Sequence, residues 1–366
     1  MDAAMQLFPT AAVGRATEAT RRLGITHPIV QGPFGGGLST TRLAATVSSL
    51  GGLGSFGAHM LAPQEIVHIT AELRALTDCP FAINLWVSDH DPGGLALSPE
   101  DFERAWQLFA PYFAELGVDR PAPPARYGPR FGEQIDALLE AAPPVFSFVF
   151  GVPPPAVLAA CRRRGIVTIG AATTVAEALA LDDAGVDAIV ASGFEAGGHR
   201  PSFLARAEDS LMGTLALVPL VADRVRAPVI AAGGIGDARA VHAVLALGAG
   251  AAQLGTAFLA CEESGATAAH RAALFGERAH ATTLTRAYTG RLARGVTNRL
   301  ARELTARAAE LPPYPITSWF LARLKPAAIA AGNTELLSLW SSQIAPNLRH
   351  RSAPALMAAL LDPPAP

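Results

Sequence analysis

Residues 227–258, APVIAAGGIGDARAVHAVLALGAGAAQLGTAF, contain one complete strand–helix–strand unit. The first apolar run, VIAA, ends at the glycine pair Gly233-Gly234, and Asp237 then stands where helices often begin. The second run, AAQL, starts 22 residues after the first and ends at Gly255-Thr256. Short, continuous apolar runs bounded by glycine are typical of parallel strands that are buried on both faces.

Similar apolar runs recur at regular intervals towards the N-terminus. Apolar runs are centred near Val145, Ile166, Ala188, Val229 and Ala251, at spacings of 21, 22, 41 and 22 residues. The interval of 41 holds one unit and a long loop. Earlier runs at 28–31, 53–56 and 81–87 complete eight strand–helix units. Eight near-equal units with right-handed crossovers predict a (β/α)8 TIM barrel in the α/β class, rather than an open doubly wound sheet.

The remaining sequence divides into an insertion, a cap and a tail. We predict a barrel over 20–264, with an insertion at 88–130 that holds one helix from about Pro99 to Leu116. Basic helical segments and the proline-rich connection 311–315 predict a helical cap over 265–350, which covers one end of the barrel and closes it. We predict a tail over 351–366, with its last five residues disordered.

Composition narrows the class of protein. Half of the 366 residues are hydrophobic and 16% are charged, so a sizeable core is expected and global disorder is excluded. A formal charge of −2 without a basic cluster argues against nucleic acid or an anionic membrane as partner. The start, MDAAMQLFPT, has no apolar segment of a secretory signal. Cys79, Cys161 and Cys261 are far apart, which excludes a disulfide framework. We expect a soluble cytoplasmic protein, and the sequence leaves a homodimer open as its oligomeric state.

The glycines that end two adjacent strands predict an anion site. Barrel sites lie at the C-terminal ends of the strands, and phosphates often bind at the last two. There, the backbone N–H groups of Gly233, Gly234, Gly255 and Thr256 can approach a phosphate. The residues themselves thus indicate a phosphorylated cofactor or substrate. The alternative is that these glycines only form tight turns between strand and helix.

His199 is the strongest candidate for acid–base chemistry. It follows the glycines of GFEAGGHR (193–200), and a neutral imidazole can take a proton from a carbon acid. The alternative is a surface histidine in a mobile loop. Glu195 is either a second catalytic acid or a residue that orients this loop. No histidine–carboxylate cluster has the spacing of metal ligands, so we predict no catalytic metal.

Several of these motifs occur together in a known family. The strings PIVQGPFGGG, FAINLWV, GFEAGGHR, APVIAAGGIGDA and AAQLGTAFLA occur in the order found in nitronate monooxygenases, which are FMN enzymes formerly called 2-nitropropane dioxygenases. The similarity runs from about Pro28 to Leu259 and returns at 314–316 and 338–340. EAGGH together with QLGTA makes the resemblance specific. It extends to a sister group, the flavin-dependent enoyl-acyl carrier protein reductases.

The resemblance implies a binding site for FMN across the barrel mouth, with His199 as the base. It implies that the flavin is bound by residues at five predicted strand ends: Gln31, Gly32, Pro33, Phe34, Asn84, Ser192, Gly197, Gly198, Gly233, Gly234, Gln253, Leu254, Gly255 and Thr256. Four positions depart from the family. Ser192 stands where Gln is usual, Phe34 where Met is usual, Thr41 for Pro, and Pro201 for Gly.

The implied reaction is oxidation of alkyl nitronates, for example propionate 3-nitronate, by O₂ to carbonyl compounds and nitrite. In it, His199 either deprotonates a neutral nitroalkane or, as imidazolium, stabilises the nitronate anion. Two other functions stay open. One is an NAD(P)H-dependent flavin reductase acting on an enoyl thioester or a quinone. The other is a barrel that binds flavin or a phosphorylated metabolite without turnover.

Overall fold

The computed structural model describes residues 16–94 and 97–362. The sequence predictions for the N-terminal segment and for the last four residues of the tail lie outside the described residues.

Eight parallel strands form the barrel, as predicted. The strands in chain order are β1 (Ile29–Gln31), β2 (Gly54–Gly57), β3 (Phe81–Trp86), β4 (Val145–Val149), β5 (Val167–Ala172), β6 (Ala188–Ser192), β7 (Gly198–His199), β8 (Val229–Ala232), β9 (Ala251–Leu254), β10 (Thr282–Thr285) and β11 (Ala293–Val296). The hydrogen-bonded order in the barrel is β1-β9-β8-β6-β5-β4-β3-β2, and backbone hydrogen bonds of 2.9 Å between β1 and Leu53, just before β2, close the barrel.

Helices follow the barrel strands and begin where the sequence predicts. Asp237 caps the helix after β8 by accepting from the Ala240 N–H, and Thr174 caps another in the same way. The helices are α1 (Glu18–Leu23), α2 (Thr41–Ser49), α3 (Pro63–Leu76), α4 (Pro99–Glu115), α5 (Phe131–Ala141), α6 (Pro155–Arg163), α7 (Val175–Asp183), α8 (Thr214–Ala222), α9 (Ala238–Ala246), α10 (Thr256–Leu259), α11 (Ala268–Phe275), α12 (Arg299–Ala306), α13 (Ile316–Ala330) and α14 (Ala353–Leu361).

Two hydrophobic layers hold the barrel together. Small and β-branched side chains such as Ala82, Val190 and Ile230 fill the interior. Larger side chains such as Phe146 and Leu217 pack between the strands and the helices. Because side chains alternate along a strand, each strand supplies both layers, which explains why the runs are continuously apolar.

The insertion and the C-terminal region share one separate core above the barrel mouth. Phe109 of α4 stacks on Phe320 of α13, with ring centroids 4.8 Å apart, and Phe102 and Trp319 belong to the same cluster. The cap is therefore assembled from two segments that are distant in sequence.

Two features differ from the predicted organisation. The cap region is not purely helical, because β10 and β11 pair as an antiparallel hairpin and β11 also pairs with β7. Within the predicted tail, α14 is an ordered helix that buries Ala353, Leu356, Met357 and Leu360 against α2 and α9. Among the described helices, none has the length and apolar character needed to cross a bilayer.

Candidate active site

A cavity of about 480 Å³ lies at the C-terminal ends of the barrel strands, beneath the cap. The predicted site residues that line it lie in or just after β1, β3, β6, β7, β8 and β9: Gly32, Pro33, Phe34, Asn84, Ser192, Gly197, Gly198, His199, Gly233, Gly234, Gln253, Gly255 and Thr256. The barrel fold thus brings together residues that are more than 200 positions apart in sequence.

Gln31 and Leu254 do not line the cavity, contrary to the sequence prediction. The Gln31 amide is fully buried, where its oxygen accepts from the Ser55 N–H at 2.8 Å and its nitrogen donates to the Gly32 carbonyl. Because side chains alternate along a strand, the Leu254 side chain points away from the barrel interior. It packs in the hydrophobic layer between the strands and the helices. Its carbonyl accepts from the Gly32 N–H at 2.9 Å. Both residues form hydrogen bonds that join neighbouring strands.

The rim of β8 and β9 presents a set of hydrogen-bond donors. The backbone N–H groups of Gly234, Gly255 and Thr256 donate no hydrogen bond to any acceptor within residues 16–94 and 97–362. Gly233 has a φ of +111°, and a Cβ there would lie 2.8 Å from the Thr214 hydroxyl, so the turn requires glycine. Unpaired N–H groups at a strand-to-helix turn are the usual donors to an anion.

Ser342 adds a side-chain donor to this rim, and the sequence prediction missed it. The backbone N–H of Ser342 donates to the Thr256 hydroxyl at 2.9 Å, and Ser342 lines the cavity. Its own hydroxyl is buried and has no hydrogen-bond partner among the described residues. A buried unpaired hydroxyl costs free energy, so this atom points to a missing acceptor. Together with the rim N–H groups it suits a phosphate.

Glu195 orients the loop after β6 and is not among the residues that line the cavity, which favours the predicted role of orienting the loop over that of a second catalytic acid. Its carboxylate accepts from the backbone N–H and the hydroxyl of Thr214 at 2.9 Å, at the start of α8. Arg200 stabilises the same loop from inside, where its guanidinium donates to the carbonyls of Ser192, Gly193 and Ser210 at 2.6–3.0 Å. Burial lowers the pKa of Arg200 to about 10, so it stays charged at neutral pH.

His199 lies on β7, in a defined position rather than in a mobile loop. Its backbone pairs with Ala293 of β11. Its ring meets Trp86 edge-on at 4.8 Å between centroids and Trp340 at 5.1 Å, and its Nε2 is 2.9 Å from the Thr289 hydroxyl. The alternative of a surface histidine is therefore wrong.

Burial, followed by the positive charge of Arg291 and by His59, holds the pKa of His199 well below its usual value. Its imidazole is neutral at pH 7, the form that can accept a proton. The same shift disfavours the imidazolium alternative.

An aromatic wall around His199 was not predicted. His59 stacks on Trp86 with centroids 3.7 Å apart and planes 3° apart, and Tyr288 and Tyr314 also line the cavity. Burial lowers the pKa of His59 to about 3, so it too is neutral. His59 lies two residues after β2, so the rule that barrel sites lie at the ends of strands would have found it. The tyrosines lie in the cap, where no strand end marks them.

Comparisons with known proteins agree with this geometry. The family model described as nitronate monooxygenase matches residues 17–362. The chain belongs to the nitronate monooxygenase family. A family member from Pseudomonas aeruginosa is 43% identical over 348 residues, which cover 94% of this chain and 97% of that protein. A nitronate monooxygenase from Paraburkholderia phytofirmans is 42% identical over 92% of each chain.

Two solved structures have folds similar to that of this chain. A nitroalkane oxidase from Streptomyces ansochromogenes has a TM-score of 0.85 and 37% identity, covering 94% of this chain and 96% of that chain. FabK from Thermotoga maritima has a TM-score of 0.72 and 28% identity, over 94% of each chain.

The four departures from the nitronate monooxygenase pattern differ in their consequences. Ser192, Phe34 and Pro201 all line the cavity, so they change its shape. Thr41 is the first residue of α2, and its hydroxyl donates to Glu72 at 2.5 Å outside the cavity lining. Only the first three can affect ligand binding directly.

Proposed function

We propose that this chain is an FMN-dependent nitronate monooxygenase that oxidises alkyl nitronates with O₂ to carbonyl compounds and nitrite. Nitronate oxidation and dependence on a flavin are properties of the family, and FMN is our choice among flavins. One observation carries the proposal: the His199 imidazole and a row of backbone N–H groups that have no acceptor among the described residues line one cavity. An imidazole suits a carbon acid, and the N–H row suits a terminal phosphate.

The flavin phosphate is assigned to the rim of β8 and β9. The N–H groups of Gly234, Gly255 and Thr256 and the Ser342 hydroxyl would donate to its oxygens. A monophosphate fits four such donors, and no carboxylate lines this cavity among the described residues to repel it. Because hydrogen bonds to a charged acceptor are the stronger class, this rim would provide much of the affinity.

The remaining predicted residues would hold the ring and the ribityl chain. Pro33 and Phe34 follow β1, Asn84 lies within β3, and Gly197 and Gln253 complete this part of the lining. Asn84 is oriented by its own bond, since its Nδ2 donates to the Ser147 hydroxyl at 3.0 Å and leaves its carbonyl oxygen available. When bound, the flavin supplies the electron-transfer chemistry of the reaction.

The protein's own contribution is to orient the substrate and to move one proton. His199, as a neutral base, would take the proton from the carbon that bears the nitro group when the substrate arrives as the neutral nitroalkane. The aromatic wall of His59, Trp86, Tyr288 and Tyr314 would exclude water from this step. A preformed nitronate needs no base, so His199 would matter less for it.

Oxygen consumption tests the proposal. Flavin-loaded protein mixed with an alkyl nitronate under air is expected to consume O₂ and to release nitrite in proportion, without any reduced nicotinamide. Full flavin occupancy with neither product would overturn the proposal and leave a non-catalytic flavin barrel. Rapid anaerobic bleaching of the flavin by NADH or NADPH would instead assign the reductase function. The cytoplasmic location and the homodimer stay predictions.

A further inference from the structure

The hydroxyl of Thr289 makes three polar contacts at one atom. Its Oγ lies 2.9 Å from Nε2 of His199, the backbone N–H of Arg291 donates to it at 3.3 Å, and the Arg291 carbonyl lies 3.4 Å away. Thr289 occupies the turn before β11, where the Gly290 N–H donates to the Arg286 carbonyl at 2.8 Å. The turn thus fixes the hydroxyl in place beneath the imidazole.

Counting hydrogens assigns a role to each partner. A threonine hydroxyl has one hydrogen to donate and two lone pairs. The Arg291 N–H can only donate, so it takes one lone pair. The Arg291 carbonyl can only accept, so it takes the single hydrogen. The second lone pair is left for His199, whose Nε2 must therefore donate if all three contacts are hydrogen bonds.

We propose that Thr289 is a positioning residue that holds His199 as the Nε2–H tautomer, so that Nδ1 is the nitrogen that receives the substrate proton. The tautomer of a neutral histidine is set by the hydrogen bond that its other nitrogen makes. Nδ1 has no partner among the described residues, and His199 lines the cavity. Nε2 is blocked by Thr289 and cannot reach a substrate.

Packing makes the hydrogen bond decisive for the ring orientation. Trp86, whose ring plane lies at 71° to the imidazole, and Trp340, at 44° to it, both pack against the imidazole. The pairing of His199 with Ala293 fixes the backbone beneath it. A ring flip would place a carbon atom opposite the Thr289 hydroxyl and lose the 2.9 Å contact.

This inference rests on the proposed function, but its test does not require turnover. Nitrogen NMR of protein carrying ¹⁵N-labelled histidine distinguishes a protonated ring nitrogen from an unprotonated one, and the His199→Asn variant identifies the His199 signals by their loss. At pH 7.5 we expect Nε2 of His199 to carry the hydrogen in the wild-type protein. A hydrogen on Nδ1 would overturn the proposal even if the enzyme oxidises nitronates.

Two variants test whether Thr289 is the cause. Thr289→Val keeps the shape but removes the hydroxyl, and we expect both ring nitrogens to shift towards the averaged values of exchanging tautomers. Thr289→Ser keeps the hydroxyl and should restore the wild-type spectrum. An unchanged tautomer in the valine variant would show that Thr289 does not set it. Absence of nitronate oxidation by the wild-type protein would contradict the proposed function alone.

Discussion

Replacing Ser342 with alanine removes a buried hydroxyl that lies beside Thr256 in the cavity wall and has no partner in the part of the chain that the structure describes. In the apo protein this hydroxyl destabilises the folded state, because burial removes its hydrogen bonds to water and no hydrogen bond to a described residue replaces them. In the proposed FMN complex it would donate to a charged phosphate. The substitution is therefore expected to act in opposite directions on the two states.

The magnitudes follow from the types of bond. A hydrogen bond to a charged group contributes about 1.5–3 kcal/mol, and about 1.4 kcal/mol is a factor of ten in affinity. The Kd for FMN should therefore rise roughly 10- to 100-fold in Ser342→Ala. The free energy of unfolding of the apo variant should be unchanged or higher, by up to about 1 kcal/mol.

Titration of the deflavinated protein with FMN and with riboflavin isolates the phosphate. Both are measured by flavin fluorescence, and only the Kd for FMN should change. Ser341→Ala is the matched control, because the Ser341 hydroxyl donates to the Ser342 carbonyl at 3.1 Å and is not part of the cavity lining. An equal loss for both flavins, or no loss for FMN, would refute the placement of the phosphate.

Three further predictions concern the base, the buried histidines and the rim. His199→Asn should retain FMN binding while turnover of a neutral nitroalkane falls by about 10²–10⁴-fold, and full activity would exclude it as the base. His199, His59 and His270 have pKa values below 6.5, to about 3 for His59 and about 4 for His270. As the pH falls, these histidines are therefore protonated in the unfolded state at a higher pH than in the folded state. The free energy of unfolding should fall from pH 6.5 towards pH 4 by up to about 1.4 kcal/mol per pH unit for each histidine. Urea unfolding at several pH values measures this, and a constant stability would contradict the burial. Gly233→Ala forces a residue with a side chain into a φ of +111° and should cost at least about 1–3 kcal/mol of stability together with FMN affinity. Gly132→Ala, in α5 with open space around it, is the control that should keep both.

Much of the fold could be read from local patterns. The apolar runs predicted all eight barrel strands, because strands buried on both faces are continuously apolar and need no knowledge of their neighbours. The glycines after Val229 and Ala251 and the position of His199 followed from the rule that barrel sites lie at strand ends. The strand pairing of β7 with the cap could not be predicted in this way, because two residues carry too little pattern.

The residues that were missed depend on contacts between distant segments. Thr289 and His199 are 90 positions apart, and nothing near Thr289 marks it as a neighbour of the imidazole. Gln31 looked like a cavity residue from its place at a strand end, but its amide is used to join β1 to β2. The helix α14 was within reach of sequence reasoning, since Ala353, Leu356, Met357 and Leu360 have helical spacing.

A crystal structure of the chain with FMN tests the central claim most directly. We expect the phosphate oxygens within hydrogen-bond distance of the N–H groups of Gly234 and Thr256 and of the Ser342 hydroxyl, with the flavin ring in the same cavity as His199. A phosphate bound away from this rim, or a flavin ring outside the cavity that contains His199, would contradict the account.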